Sequence, residues 1–475
     1  MSEYRVVDET VIHELQLICG DEHVRTDART LDTCSRDKVP EDKYAHSPEV
    51  VVFPENTEQV AQIMKLACRL HVPVTPRGGG SGLSGGAVPV HGGIVLSLER
   101  MNKIIEIDTE NLVAVLEPGV VTRELDTKLK EHGLFFAGYP MSEEICHLAG
   151  NVAENAGGGR AVKYGVTGRY VLGMEVVTPE GDVLHLGGKR VKDVTGYDLL
   201  GLFTGSEGTL GVFTQLYIKL LPRPKHRLAL FGYLPAVHTL NSILPALLAD
   251  PEVEPSSIEF MDAICIEAVQ KTSPKLAVER TPGGAILVEV DGANLALLQK
   301  DLHHIRDILT AHGVTGIQVA EEEAQLEAVW KVRKQVPWSL MRIAPHQSLE
   351  DISVPVATIP TMLDATYEVG ARYNVPIPIF GHAGDGNLHA TPLKPEEMAL
   401  EEWFEVLPQV LTDMYTTAHK LGGTISGEHG IGHKRQRYTK LVLQEQEVKV
   451  MRRIKAALDP HNIMNPGKIF EAASS

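Results

Sequence analysis

The sequence predicts an α+β chain of two domains. Its 475 residues exceed what one ordinary core holds. Strand-like and helix-like runs alternate through the first half, as far as about residue 225. The second half then gives strand–helix–strand units followed by long amphipathic helices, the pattern of an open sheet with helices on one face.

Residues 1–45 read as a helical lead-in, because VVDETVIHELQLIC places its apolar residues at near-helical spacing. From Pro48 the texture changes. EVVVFP is strand-like, and ENTEQVAQIMKLACRL is helix-like with Asn56 or Thr57 as its cap. HVPVTPRG, GGIVLSL, IIEID and LVAVLEPG follow as strands, and VTRELDTKLKEHG as a helix ending at Gly133. LPRPKH, residues 221–226, has the prolines and basic residues of a domain joint. The expected division is therefore a lead-in at 1–45, a first domain at 46–225 and a second at 226–470. In the second, RLALFGYL, SIEFMD, GAILVEVDG and VTGIQVA read as strands. AVHTLNSILPALLAD, LALLQKDLHHIRDILTAHG and TKLVLQEQEVKVMRRIKAALDP read as helices.

Composition narrows the class. Hydrophobic residues make up 43% and charged residues 23%, as in ordinary globular proteins. Aromatics are only 5%, so Val, Leu, Ile and Ala must fill the core. The net charge of -17 argues against non-specific nucleic-acid binding and gives no help to binding an anionic membrane. Cys19, Cys34, Cys68, Cys146 and Cys265 form no tight cluster, so no iron–sulfur or zinc-thiolate site is expected, and reduced thiols in a cytoplasm are. The start, MSEYRVVDETVIHEL, lacks an apolar signal core, and no run approaches the ~18 apolar residues of a spanning helix.

HAGDGNLH, residues 382–389, carries the chemistry. Asp385-Gly386 predicts a two-residue hairpin turn, since both central positions need φ > 0. That register puts His382 opposite His389, with Asn387 on the same face. Two facing imidazoles suit one metal ion. A second segment, ISGEHGIGHKR, sets Glu428 and His429 among Gly427, Gly430 and Gly432. Two His and one Glu make a usual set for a catalytic divalent ion with an open position, zinc first and iron or manganese as alternatives. His429 is left over as a proton acceptor.

PRGGGSGLSGGAVPVHGG, residues 76–93, contains a formal GxGxxG at Gly80, Gly82 and Gly85. A proline and a strand follow it, not the helix that a nicotinamide fingerprint needs. Its backbone N–H groups can still make a nest for a pyrophosphate. Two more glycine-rich stretches, residues 148–168 and 203–222, lie in the same domain. Three such segments suggest a long, buried, polar-ended ligand, and FAD is the natural candidate.

In order along the chain, PRGGGSGLSGG, GNVAENAGGG, VKDVTGYDL and GSEGTLG resemble the FAD-binding domain of the vanillyl-alcohol oxidase/p-cresol methylhydroxylase superfamily. GHAGDGNLH, SGEHGIG and NPGKIF resemble its FAD-linked oxidase C-terminal domain. Over about residues 45–470 the chain resembles the D-2-hydroxyacid dehydrogenases, the D-lactate dehydrogenase and glycolate oxidase catalytic-subunit group. The resemblance implies a two-domain flavoprotein, a p-cresol methylhydroxylase-type FAD domain followed by an antiparallel sheet with helices. It implies that Gly78, Gly79, Gly80, Ser81 and Gly82 contact the pyrophosphate, with Arg77 beside them. Gly150, Asn151, Gly157 and Gly158 line the flavin and ribityl region, Gly205, Gly211 and Val212 back the cofactor, and Asn465 reaches it from the C-terminus. The first glycine loop has Ser81 and Ser84 but no His, so FAD is expected to be non-covalent.

The resemblance further implies His382, His389 and Glu428 as metal ligands, His429 as base, and Arg333, with Asn387, as substrate contacts. The reaction implied is oxidation of a D-2-hydroxy acid to the 2-keto acid by hydride transfer to FAD. Glu350 stands where 2-hydroxyglutarate-type members carry Lys, and Thr391 where an Asn often follows the second metal His. Both favour a small monocarboxylate, D-lactate or glycolate. Electrons must leave to an external acceptor: an iron–sulfur subunit, an electron-transfer flavoprotein, a quinone or a cytochrome. A homodimer, and attachment to a membrane through a partner, are open. The rival readings are an alkylglycerone-phosphate synthase-like transferase, a non-catalytic flavin subunit of a larger oxidase, and a zinc-dependent hydrolase. A phosphate-binding arginine cluster and a lipid-facing extension would favour the first, and neither is evident in the sequence. The second would be expected to lack the metal motifs, and the third leaves the glycine-rich half without a purpose.

Overall fold

The computed structural model describes residues 4–471, so the ends of the expected lead-in and tail lie outside the described residues. The chain forms two compact units. One holds the chain through Gly157, then Val166–Arg223, then the segment from Glu428 onward; the other holds Gly158–Gly165 and Pro224–Gly427.

The first unit contains a four-stranded sheet and a five-stranded sheet. In the four-stranded sheet, Val50–Val52 and Val74–Arg77 flank Ile94–Ser97 in parallel, and Val24–Arg25 closes one edge antiparallel. Parallel strands must be covered on both faces, and Val50, Val51 and Val52 are all fully buried. The crossover helix Thr57–Leu70 starts where the Asn56 side chain accepts from the Gln59 amide and ends at His71 in the left-handed region, φ 59°. It buries Val60, Ile63, Met64 and Ala67, one helical stripe. The five-stranded sheet is antiparallel, in the order Ile104–Asp108, Val113–Leu116, Val212–Lys219, Val171–Val177, Val183–Gly187.

The division expected from sequence puts the second domain at 226–470; by contacts, the segment from Glu428 onward packs with the first unit. The cause is local. The Val74 amide donates to the Ile463 carbonyl at 2.8 Å, the Asn465 amide donates to the Val74 carbonyl at 2.7 Å, and Ile463 and Met464 complete the apolar core around Val50 and Ile94.

The second unit is built on a seven-stranded antiparallel sheet. Its order is Thr315–Ala320, His226–Tyr233, Ala285–Gly292, Ser257–Met261, Ile379–His382, Asn387–Ala390, Ile352–Ser353. The helices Ala263–Thr272 and Glu323–Ile343 pack together over a core of Phe231, Met261, Ile266, Leu287, Val336 and Phe380. The hairpin register differs from expectation. His382 opposes Asn387 and Phe380 opposes His389, so the loop is Ala383–Gly386 and the two imidazoles are diagonal neighbours on one face. Gly386 has φ +86°, but its need for glycine is a close approach: a Cβ there would fall 2.0 Å from the Val354 carbonyl oxygen. Val354, whose amide donates to the Gly386 carbonyl, thus draws the loop open.

Candidate active site

In the first unit the glycine loop after Val74–Arg77 is pressed against its neighbours by backbone contacts. A Cβ on Gly79 would fall 2.3 Å from the Ile145 carbonyl oxygen. Gly80 has φ +60°, and a Cβ there would meet the Arg77 guanidinium at 2.1 Å. Arg77 is a brace: its Nη1 donates to the Arg36 carbonyl at 2.9 Å and its Nη2 to the Thr33 carbonyl at 3.3 Å. The buried Asp37 carboxylate accepts from the Gly85 amide at 2.7 Å and lies 3.5 Å from where a Gly82 Cβ would sit. Ser81, between these glycines, is half-buried. Gly78 faces His147 and Gly150, and Gly150 itself borders open space. Asn151 is buried, donating to Thr122 Oγ1 at 2.9 Å. Gly205, at φ +76°, donates to the Val152 carbonyl. Asn465 donates to the Gly86 and Glu207 carbonyls, both at 2.9 Å.

These residues fit a polar-ended cofactor. Ser84 Oγ, Ser206 Oγ, His147 Nδ1 and Asn465 Oδ1 are buried in this unit with no hydrogen-bond partner. A buried polar atom without a partner costs free energy that a ligand or water recovers. Burial first, then the Arg77 charge, push the His147 imidazole below its ordinary value, which favours its neutral form. Gly211 and Val212 are accounted for differently. A Cβ on Gly211 would meet Val176 at 2.6 Å, and Val212 lies in the apolar core. Both serve sheet packing. Gly158 belongs to the second unit.

The GEHGIG loop is also fixed in the first unit. Glu207 accepts the Ile431 amide at 2.9 Å and the Gly432 amide at 2.5 Å. Gly430, at φ +85°, leaves no room for a Cβ beside Glu154. Glu428 lies against Gly157, where a Cβ would approach its Oε2 to 3.0 Å, and His429 Nε2 is 3.5 Å from Glu428 Oε1.

In the second unit, His382 and His389 are 3% and 4% exposed, with ring centroids 5.3 Å apart at 87°. His382 Nδ1 is 2.7 Å from Glu259 Oε1. That contact turns Nε2 towards any ligand, as the carboxylate partners of metal-bound imidazoles do. Glu259 also accepts from Arg333 Nε at 2.7 Å and from Ser257 Oγ at 3.1 Å. Burial pushes the Glu259 carboxyl up, but the His382 and Arg333 charges and hydrogen bonds outweigh it and hold it below its ordinary value. Arg333, expected as a substrate clamp, is 3% exposed, and its guanidinium stacks 4.8 Å from the Phe380 ring centre. Phe380 packs in turn on His389, centroids 5.2 Å apart. Asn387 donates to Asp351 Oδ1 at 2.8 Å, and its own Oδ1 is buried with no partner. Asp351 accepts from Ser426 Oγ at 2.6 Å, and His389 Nδ1 lies 3.9 Å from its Oδ1. The Gly427 amide donates to the Asp351 carbonyl at 2.9 Å, and Glu428 is the next residue.

Two acids were missed by sequence reasoning, Glu259 and Asp351. Both gave a signal. Glu259 stands inside an otherwise apolar central strand, SIEFM, where a charge persists only with partners. Asp351 begins the DISVP run.

Comparison with known proteins places the chain in a family. Residues 223–469 match the family of FAD linked oxidases, C-terminal domain, and residues 48–187 match an FAD binding domain. Glycolate oxidase subunit GlcD of Bacillus subtilis is 38% identical over 92% of this chain and 91% of its own. D-2-hydroxyglutarate dehydrogenase of Stutzerimonas stutzeri is 33% identical over 98% of this chain and 100% of its own. D-lactate dehydrogenase of Archaeoglobus fulgidus is 36% identical over 88% and 91%. Among solved structures, p-cresol methylhydroxylase with substrate bound superposes with a TM-score of 0.78 at 18% identity, covering 98% of this chain and 97% of the other. Alkyldihydroxyacetonephosphate synthase gives 0.75 at 20% identity, covering 98% and 87%; at these identities the likeness is one of fold. The chain belongs to the FAD-linked oxidase family, and is an FAD-linked oxidoreductase with an FAD-binding domain in its first half.

Proposed function

We propose that the protein oxidises a small D-2-hydroxy acid, D-lactate or glycolate, to the 2-keto acid. His382, His389 and Glu428 hold a divalent metal, and non-covalent FAD lies on the glycine loops of the first unit. When bound, the metal supplies Lewis acidity towards the substrate hydroxyl and FAD supplies a hydride acceptor. The nitrogen and oxygen donor set suits zinc, with iron or manganese next.

The chain's own residues divide the remaining work. Glu259 occupies Arg333 Nε, so the two Nη groups are the donors for a substrate carboxylate. Phe380 beneath the guanidinium keeps it in one plane. The Asn387 Oδ1 accepts a hydrogen bond from substrate. His429 takes the hydroxyl proton at an imidazole nitrogen. Electrons then pass to an acceptor outside this chain.

The observation that carries this reading is the Glu259 carboxylate bonded at once to Arg333 and His382. One buried acid orients both a carboxylate-binding and a metal-binding side chain. The names of the relatives support the class, and Glu350, held by Ser348 Oγ at 2.6 Å and by the Tyr415 hydroxyl, argues for a monocarboxylate. An acid there repels a second substrate carboxylate. Anaerobic mixing with D-lactate, L-lactate, glycolate and D-2-hydroxyglutarate tests it. Bleaching of the oxidised flavin should be fastest with D-lactate or glycolate. Reduction by D-2-hydroxyglutarate alone would overturn the substrate assignment, and reduction by none would overturn the reaction.

A further inference from the structure

The helix Glu323–Ile343 has two sides. One buries Leu326, Val329, Val332, Arg333, Val336, Ser339 and Leu340 against the second unit. The other is exposed, and its charge is segregated along the axis. Glu323 and Glu327 lie near its start, while Lys331, Lys334 and Arg342 lie on the exposed side of its later half. From residue 328 to residue 349 the chain has no Asp or Glu, in a protein whose net charge is -17. None of Lys331, Lys334 and Arg342 makes an ion pair among the described residues. Arg342 only donates to the Thr272 carbonyl at 3.4 Å.

Between these cations stand large apolar groups. Trp338 is 63% exposed and Met341 40%. Residues 331, 334, 338, 341 and 342 recur at helical spacing and so share one face. Cations near a helix C-terminus complement its dipole, which accounts for the charges. It gives no reason to leave an indole and a thioether in water beside them.

We infer that this face docks on an anionic lipid surface. Lys and Arg are attracted to acidic headgroups, and an exposed Trp among them suits the headgroup boundary. The charge of the whole chain does not forbid it. Screening confines each charge to about 8 Å at physiological salt, so a bilayer meets the patch and not the sum. No helix of the described residues is long and apolar enough to cross a membrane, so the contact is peripheral. The inference is independent of the substrate.

The test uses the full-length holoenzyme and flotation with vesicles of phosphatidylcholine containing phosphatidylglycerol, against phosphatidylcholine alone. Binding should appear only with the anionic vesicles and fall as salt rises. Trp338 should blue-shift in emission on binding. Trp403 is 1% exposed and Trp330 is bonded to Glu289, so the shift should vanish in Trp338→Phe. K334E/R342E should lose binding by on the order of 20-fold or more, about fivefold per cation, while turnover with a soluble dye acceptor is unchanged. Equal flotation of wild type and K334E/R342E overturns the inference, as does no flotation with either vesicle. Conversion of a wild-type dimer to monomer by the same variant, without vesicle binding, assigns the face to a second copy and also overturns it.

Discussion

The two units handle ligands by opposite means. In the first, the candidate cofactor site is made from backbone: the glycine loops supply main-chain groups, with Gly79 pressed on the Ile145 carbonyl and Gly150 beside open space, and side chains such as Arg77 and Asp37 act as braces behind them. In the second, the candidate chemistry is made from side chains on the strands of a sheet, at its edge and on the helix packed over it, where Glu259, Arg333, His382, Asp351 and Asn387 are all nearly water-free. A backbone site tolerates exchange of most neighbours but no added Cβ where the chain presses close, as at Gly79. A side-chain site tolerates no loss of charge balance, because each buried ion depends on the next.

The contrast can be broken most visibly at His429. His429→Ala should lower kcat by about 10²–10⁴-fold, the usual contribution of a general base, while the flavin absorbance per protein stays at the wild-type ratio. Loss of FAD with turnover would show instead that the residue builds the cofactor site. Glu259→Gln keeps shape and removes the charge shared by Arg333 and His382. Metal affinity should weaken by roughly 10–100-fold, as when the outer partner of a ligand is lost, measured by metal content after dialysis against a graded chelator. KM for the hydroxy acid should rise as well. Unchanged metal content and KM would leave Glu259 a packing residue.

On the backbone side, Gly79→Ala should cost about 1–3 kcal/mol, as for overpacking at a tight contact, because the Ile145 carbonyl must move. Thermal unfolding and FAD content read it together, and a wild-type melting point would contradict the close approach. The smallest effect is a pH dependence. Asp262 caps the helix Ala263–Thr272 and accepts from the Ile379 amide at 2.8 Å. Burial raises its carboxyl from 3.8 to about 6, against those hydrogen bonds. The folded state therefore holds this proton more tightly than the unfolded chain. Its contribution is complete below 3.8 and is lost as pH rises through about 6. Urea unfolding should show stability falling across that window, by on the order of 1 kcal/mol per pH unit at most. Asp262→Asn should flatten that part of the profile.

The same contrast explains what could be read in advance. Glycine loops announce themselves, since close backbone approach demands one residue type wherever it occurs; hence the segments at 76–93 and 203–222 stand out. Gly211 shows the limit, because a glycine required by sheet packing looks the same in sequence as one required by a cofactor. The hairpin at 382–389 was legible as a hairpin and as one face, but its register was not. Asp-Gly favours a two-residue loop locally, and the contact with Val354 from another part of the chain decides otherwise. Glu259 in its strand calls for a buried partner, but nothing local says that the partner is Arg333, 74 positions away. The return of residues 463–465 to the first unit is of the same kind, a strand-edge pairing that no periodicity encodes.

That a metal on the His382–His389 face and a flavin on the glycine loops act on one hydroxy acid, as proposed above, is tested by anaerobic flavin reduction with D-lactate or glycolate before and after the metal is stripped by chelation, with FAD retained. Bleaching should be rapid before stripping, slight after it, and restored on adding zinc or manganese. Full-rate bleaching by enzyme whose metal content has been brought to a small fraction of one per chain would contradict it.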